Sequence, residues 1–469
     1  MTERTRLSPS LLNLITDFEQ SLTDGRIDTA LDESAYQQIV EYYESEKRLD
    51  RAIEVVDRAI NQFQSNIGFY TQKTHLLVKS RRFDDAHKTL DRAEMEEPFN
   101  VNLILMRARV LAGQANFDLA YDIIDDVKSY SDKDHELLAF LTEAEISELS
   151  MDYELMFQSL KSALIIEPDN LIGLNLMTKA VKLSRKNHEE SILIHTLIVE
   201  NYPYCAQAWY NLGHSYALVN EYDNAIEALE FAFLVKSDFE EAYIDCAEYC
   251  MEKKYFQRAE IILKEASIEF HENYDTLYNL ALCQYHIGKI AKAKRTLFAA
   301  MEMEPCCDEL YFLKAKCDIE DGNWVSAINM LEQAIDIDDQ MEEYYFFLGK
   351  VYEAINKTSK ANVFFRKAAF QGEVESYYWE EYVLFLFRKN NLEIAEKYIK
   401  ISAEHTYSTR IEYLNVASKY LNNDRITAIE LLTELLQEDF LNKEILLRVH
   451  ESIRNDKEIQ SIIKYYEKE

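Results

Sequence analysis

Small apolar side chains recur along this chain at a nearly constant interval of 34 residues. From Ala225, steps of 34 residues lead forward to alanine at five successive positions and backward to Ser191. The full series of this anchor position is Ala52, Ala86, Ala120, Met156, Ser191, Ala225, Ala259, Ala293, Ala327, Ala361, Ala395 and Ala428. Further small residues recur seven residues after the anchors and about twelve before them, as Ala232 and Gly213 do. A period of this length predicts about twelve copies of one supersecondary unit.

The prolines and glycines mark where the helices of each copy end. Four of the five prolines stand twelve residues after an anchor: Pro98, Pro168, Pro203 and Pro305. A proline inside a helix would cost about 3 kcal/mol, so this phase of the repeat indicates a helix end. Gly288 and Gly322 each lie five residues before an anchor, where a turn between two helices is expected. Each copy is therefore predicted to be a helical hairpin. The interval exceeds 34 between Ala120 and Ser191, and we expect the extra residues to lie in turns.

One copy shows the complete pattern of large and small residues. It contains Trp209, Leu212, Gly213, Tyr216, Ala225, Leu229 and Ala232. These residues resemble the tetratricopeptide repeat family, whose pattern W-x2-L-G-x2-Y, then A, has the same period. A later copy matches nearly as well, with Leu348, Gly349, Tyr352, Ala361, Phe365 and Ala368. The pattern is broken in the fifth copy, where Ser191 and His195 replace the usual small and large apolar residues.

The resemblance implies an all-α protein, a right-handed superhelical solenoid of about twelve helical hairpins. One hairpin cannot bury its apolar stripe alone, so neighbouring hairpins share a core and the two ends need polar covers. We therefore predict an N-terminal capping helix in residues 1–32, a solenoid in 33–442 and a C-terminal capping hairpin in 443–469.

The composition narrows the choice of partners. With 51 Lys and Arg against 84 Asp and Glu, the formal net charge is −33, which argues against nucleic acid and anionic membranes. No stretch approaches the roughly 18 apolar residues of a membrane span, and the first residues lack the apolar core of a signal peptide. Seven cysteines fit a reducing compartment better than a disulfide framework. We expect a cytoplasmic protein with neither a nucleic-acid nor a membrane partner.

The resemblance also implies which residues face the concave groove, namely those fifteen, eleven and eight before each anchor. In the middle copies the candidates are Tyr210, Ile244, Tyr278, Phe312 and Phe346 at the first position, His214, Lys316 and Lys350 at the second, and Tyr285 at the third. The spacing places the three positions on one helix face. These aromatics either anchor a bound peptide or pack against neighbouring helices, and both interpretations stay open. Lys316 and Lys350 either meet an acidic motif or are solvated charges.

Catalytic signatures are missing from the sequence. No glycine-rich phosphate loop, HExxH or CxxC occurs, and Cys246 and Cys250 fall at core positions of the pattern. We therefore expect no catalytic residue, metal or cofactor. The predicted function is a non-enzymatic scaffold or adaptor that holds a protein or peptide partner in the groove. The alternatives are a structural subunit that assembles through its ends or convex face, including a homo-oligomer, and an accessory subunit of an enzyme.

Overall fold

The computed structural model describes residues 9–23, 31–130, 132–184, 186–270 and 273–467. Within these ranges the backbone forms 28 α-helices and one short 3-10 helix. The chain divides into two compact units, Met1–Tyr249 and Cys250–Glu469, which we call unit 1 and unit 2.

Unit 1 is a succession of antiparallel helix pairs. Its helices are α1 (Pro9–Thr23), α2 (Glu33–Ser45), α3 (Leu49–Gln62), α4 (Ile67–Lys79), α5 (Phe83–Glu96), α6 (Val101–Gly113), α7 (Phe117–Tyr130), α8 (Lys133–Leu149), α9 (Tyr153–Ile166), α10 (Leu171–Ser184), α11 (His188–Asn201), α12 (Ala206–Leu218), α13 (Tyr222–Val235) and α14 (Glu240–Glu252), the last of which continues into unit 2. Each hairpin consists of a first helix and a second helix, as α12 and α13 do. The anchors lie near the start of the second helices.

Unit 2 repeats the same arrangement. Its helices are α15 (Phe256–Glu269), α16 (Tyr274–His286), α17 (Ile290–Met303), α18 (Asp308–Glu320), α19 (Trp324–Ile337), α20 (Glu342–Ala354), α21 (Thr358–Gln371), α22 (Ser376–Arg388), α23 (Leu392–His405), α24 (Thr409–Leu421), α25 (Arg425–Glu438), α26 (Lys443–Val449), α27 (Glu451–Arg454) and α28 (Lys457–Tyr466), with the 3-10 helix at Phe440–Asn442. The predicted division into 1–32, 33–442 and 443–469 stays a prediction.

The small residues of the repeat lie where two helices of a hairpin meet. A Cβ added to Gly213 on α12 would be 2.7 Å from Cγ of Leu229 on α13, and one added to Gly349 would be 2.9 Å from the Phe365 ring. Leu229 and Phe365 have no exposed surface, and neither does the anchor Ala225. Burying a leucine side chain contributes about 1.5–3 kcal/mol, which a larger residue at these contacts would partly forfeit. The core therefore runs between the first and second helices.

The turn within each hairpin contains one residue in the left-handed region. Gly288 and Gly322 have φ of 77° and 70°, which confirms the turns predicted at these positions. Asn220 and Asn356 occupy the same place with φ of 62° and 59°. Glycine and asparagine are the residues that accept this conformation most readily, which explains their recurrence five residues before the anchor.

The prediction that extra residues between Ala120 and Ser191 lie in turns is wrong. First helix α8 has 17 residues and α10 has 14, whereas α12 has 13. The additional residues therefore extend first helices, because a longer helix satisfies its own backbone hydrogen bonds and a longer turn does not.

Candidate binding surface

The first helices of unit 2 bring a row of aromatic rings together. The ring of Phe312 on α18 lies 4.8 Å from that of Tyr344 and 5.2 Å from that of Phe347, both on α20. Phe346 on α20 in turn lies 5.4 Å from Tyr377 on α22. These centroid distances are typical of favourable edge-on and tilted aromatic pairs. The row therefore continues across three successive first helices.

Two predicted lysines lie over this row. The Lys316 ammonium is 4.9 Å from the centroid of Phe312, 5.6 Å from Phe347 and 5.9 Å from Tyr285. Lys350, one repeat later, is 5.4 Å from Phe346 and 5.2 Å from Phe347. In the part of the chain that the structure describes, neither lysine forms an ion pair with a carboxylate. Two cations in a chain of net charge −33 are thus held by ring faces.

The exposure of these residues divides them into a floor and a contact layer. Phe312 and Phe346 are buried, with 9 % and 4 % of their surface exposed. Tyr377 is 48 % exposed, Lys350 is exposed, and Lys316, Phe347 and Tyr285 are half-buried. A ligand would therefore touch the lysines and the outer ring edges, while the two buried phenylalanines support them from below. We call this set (Tyr285, Phe312, Lys316, Phe346, Phe347, Lys350 and Tyr377) the aromatic–lysine surface.

The two tyrosines predicted on α16 are held as neutral phenols. Burial, with a contribution from the nearby Glu309, raises the pKa of Tyr278 to about 12. Burial also raises the pKa of Tyr285, and Glu320 adds to this effect. Both side chains are half-buried and keep their phenolic proton at neutral pH, so each can donate a hydrogen bond.

In unit 1 the predicted residues Tyr210 and His214 are engaged by a carboxylate. The Tyr210 hydroxyl donates to Oδ2 of Asp245 at 2.7 Å, and Nε2 of His214 is 2.7 Å from the same oxygen. The Tyr249 hydroxyl lies 3.1 Å from Nδ1 of His214. Burial alone would raise the pKa of Asp245, but hydrogen bonds from His214 and Tyr210 outweigh it and hold the pKa below its usual range. Ile244, the residue before Asp245 on α14, is half-buried.

Sequence reasoning missed Phe347, Tyr377, Asp245 and Tyr249. Tyr377 stands eighteen residues before Ala395, which is three residues before the first groove position and hence on the same helix face. Extending the groove pattern by one turn would have found it. Asp245 carries no comparable signal, because a carboxylate on an acidic chain is not distinctive until its neighbours are known.

The cysteines do not form a site. Cys246, Cys250, Cys283 and Cys317 are fully buried, as their core positions predicted. Burial raises the pKa of Cys283 to about 12 and that of Cys317 to about 11, so both are thiols at neutral pH. Over the described ranges, no group of three or more His, Cys, Asp or Glu side chains is arranged to hold a metal ion. Nor, in those same ranges, does any helix combine the length and apolar character that crossing a bilayer requires.

Comparison with known protein families identifies one of the hairpins. A sequence model of the tetratricopeptide repeat family matches residues 206–238, the hairpin of α12 and α13. None of the curated proteins compared with the chain matches it.

Solved structures are similar at low identity. YrrB, described as a TPR protein with an unusual peptide-binding site, is 20% identical; the match covers 38% of this chain and 91% of YrrB, with a TM-score of 0.33. The APC/C hetero-tetramer Cut9-Hcn1 gives 14% identity over 92% of this chain and 97% of its own, with a TM-score of 0.37. A tetratricopeptide repeat protein from Parabacteroides merdae gives 17% identity, 50% and 93% coverage, and a TM-score of 0.37. Similarity at this level does not extend to what those proteins bind.

The described residues thus form an all-α fold of repeated helical hairpins, as the sequence predicted. The hairpin that the family model matches is also the one with the complete residue pattern. Residues 206–238 therefore form a tetratricopeptide repeat.

Proposed function

We propose that the protein is a non-enzymatic interaction scaffold that holds a peptide or helix of a partner protein on the aromatic–lysine surface. Repeat proteins of this class serve in protein–protein interaction. The observation that supports this surface is the placement of Lys316 and Lys350 over aromatic rings, without a carboxylate partner among the described residues.

The chemistry of the surface favours a partner segment with both acidic and apolar side chains. A carboxylate would meet a lysine that forms no ion pair with an acidic side chain of the described chain. An apolar side chain would cover the edges of Phe347 and Tyr377, and aromatic contacts of this kind supply much of the binding energy at protein interfaces. The assignment of Tyr278 on α16, and of Tyr210, His214 and Ile244 in unit 1, to a binding groove stays a proposal.

The test is affinity capture by full-length protein from lysate of the source cells, read by mass spectrometry. The variant Lys316→Ala/Lys350→Ala removes both lysines of the surface while leaving the phenylalanine floor intact. The matched control is Lys360→Ala/Lys367→Ala, because these lysines lie over Tyr352 and Tyr345 from second helix α21. A partner that is retained by wild type and control but lost by the first variant supports the proposal. Equal capture by all three proteins refutes it.

A second candidate function is a structural subunit that assembles through its second helices. The position nine residues after the anchor is strongly exposed yet apolar in three hairpins of unit 1, at Met95, Ile165 and Leu234. Apolar side chains repeated on one face are typical of a surface that another protein covers. Light scattering tests this function by measuring the mass of the protein in solution. The function is supported if the wild type is a homo-oligomer and the variant Ile165→Gln/Leu234→Gln is a monomer. A monomeric wild type excludes self-assembly.

A further inference from the structure

The first two hairpins of unit 1 repeat a basic pattern with the period of the fold. Lys47-Arg48 is followed 34 residues later by Arg81-Arg82, and Arg58 is followed by Arg92. The stretch 47–92 contains ten Lys and Arg but only six Asp and Glu. It thus has an excess of four positive charges in a chain whose net charge is −33. Summing charge over the whole chain conceals this local reversal.

Open clefts lie between these basic side chains. One cleft of about 530 Å³ is lined by Lys47, Arg48, Arg51 and Arg82 together with Asp50. Another of about 390 Å³ is lined by Arg81, Arg82 and Lys88 together with Asp84 and Asp85. Arg82 belongs to both clefts, so the two turns share one basic surface. We call Lys47, Arg48, Arg51, Arg81, Arg82 and Lys88 the basic patch.

The guanidinium groups of the basic patch are held only loosely by the protein itself. Arg48 is 3.7 Å from Glu19, and Arg51 is 2.8 Å from Glu54. Arg82 is 2.8 Å from Asp85 and 3.9 Å from Asp50, and Lys88 is 3.5 Å from Asp85. All three arginines are half-exposed. Exposed ion pairs of this kind contribute little, so an incoming carboxylate can replace or join them.

The turn residues are more available still. Lys47 and Arg81 are exposed, and neither forms an ion pair with another described residue. Each has positive φ, at 58° and 57°, at the turn position where most later hairpins have glycine or asparagine.

We propose that the basic patch binds a carboxylate-rich segment of a partner polypeptide. Arginine presents five N–H donors in a planar fork that matches a carboxylate. Double-stranded DNA fits less well, because it carries a charge about every 1.7 Å along its axis and would meet Asp50, Asp84 and Asp85 between the arginines. A short acidic segment can place its charges between these carboxylates. This site lies in unit 1 and is independent of the aromatic–lysine surface.

The test is fluorescence anisotropy with a fluorescein-labelled decapeptide of Glu and Asp, titrated with the full-length protein at about 50 mM and about 200 mM salt. We expect Arg48→Ala/Arg82→Ala to weaken binding about tenfold and to reduce its salt dependence. Arg48→Lys/Arg82→Lys keeps the charge but loses the planar fork, so we expect an intermediate loss. The control, Lys292→Ala/Lys357→Ala, removes two exposed lysines of unit 2, one at the repeat phase of Arg51 and the other at that of Arg82, and should bind as wild type does.

Three results would overturn the proposal. They are no binding of the decapeptide by wild type, an equal loss in the arginine variant and the control, and tighter binding of a single-stranded DNA decamer than of the peptide. Helical circular dichroism checks that each variant is folded.

Discussion

The imidazole of His195 lies in the core of unit 1 with no exposed surface, where other hairpins have a large apolar residue. Its Nδ1 donates to the backbone carbonyl of Ser191 at 2.8 Å, and the Asn211 amide donates to its Nε2 at 3.2 Å. Together, these two bonds require the neutral ring with its proton on Nδ1 and a free lone pair on Nε2. Burial lowers the pKa of His195 to about 4, and the bond to Ser191 offsets only part of this effect.

Proton linkage turns this geometry into a dependence of stability on pH. In the unfolded chain the His195 ring has a pKa of about 6.5, so from about pH 7 to about pH 5 the unfolded state takes up a proton that the native state does not. The stability that the neutral ring supports is therefore complete above the unfolded pKa and is lost as the pH falls toward the folded one. Between about pH 7 and about pH 5 the free energy of opening falls by about 2 kcal/mol. This corresponds to an increase of about thirtyfold in the equilibrium constant for local opening.

Hydrogen exchange of α11, followed by mass spectrometry, measures this opening. The ratio of protection between wild type and His195→Gln at each pH cancels the intrinsic rate and the contribution of the other histidines. We expect this ratio to fall about thirtyfold between about pH 7 and about pH 5, while α20 in unit 2 shows no change in its ratio. A ratio for α11 that is the same at both pH values would show that the buried imidazole is not what titrates.

The remaining predictions concern packing and thiol reactivity. Gly349→Ala should lower the free energy of unfolding in urea by about 1–3 kcal/mol, because its new methyl group would press on a buried ring. Gly288→Ala has open space around the new methyl group, so it should lower the free energy of unfolding only by the strain of its positive φ, about 1 kcal/mol. By the same assay, Phe312→Ala should lower the free energy of unfolding by about 3–5 kcal/mol, whereas Lys316→Ala should lower it by under about 1 kcal/mol. The opposite order would contradict the division of the surface into a floor and a contact layer. In native protein a thiol reagent should modify exposed Cys306 quickly and the four fully buried cysteines only upon unfolding.

The positions of the hairpins could be predicted because close packing of two helices requires small residues, and these recur in the sequence. Positions 213 and 349 are glycine because a side chain of the second helix lies within 3 Å of where a Cβ would be. The glycine in the sequence therefore marks the helix contact. Gly288 could be assigned to a turn for an equally local reason, its positive φ. The lengthening of α8 could not be foreseen, because extra residues in a helix and in a turn give the same shift of period.

The candidate surface was only partly predictable, because burial and pairing depend on the next hairpin. Phe312 follows the groove pattern, yet its partner rings come from α20, and only the structure shows that they bury it. His214 likewise follows the pattern, but Asp245, 31 residues later, engages its ring. The basic patch would have been visible in the sequence if lysine and arginine had been placed on the 34-residue period.

The proposed role of the aromatic–lysine surface is tested most directly by photo-crosslinking at two sites of equal exposure. Tyr377 lies on that surface and Val363 lies on second helix α21, and each is 48 % exposed. With benzoylphenylalanine in place of either residue, full-length protein is irradiated in lysate of the source cells and its adducts are identified by mass spectrometry. We expect a partner polypeptide to be linked through position 377 and not through position 363. The same adduct at both positions, or an adduct at position 363 alone, would contradict the proposal that the partner binds on the aromatic–lysine surface.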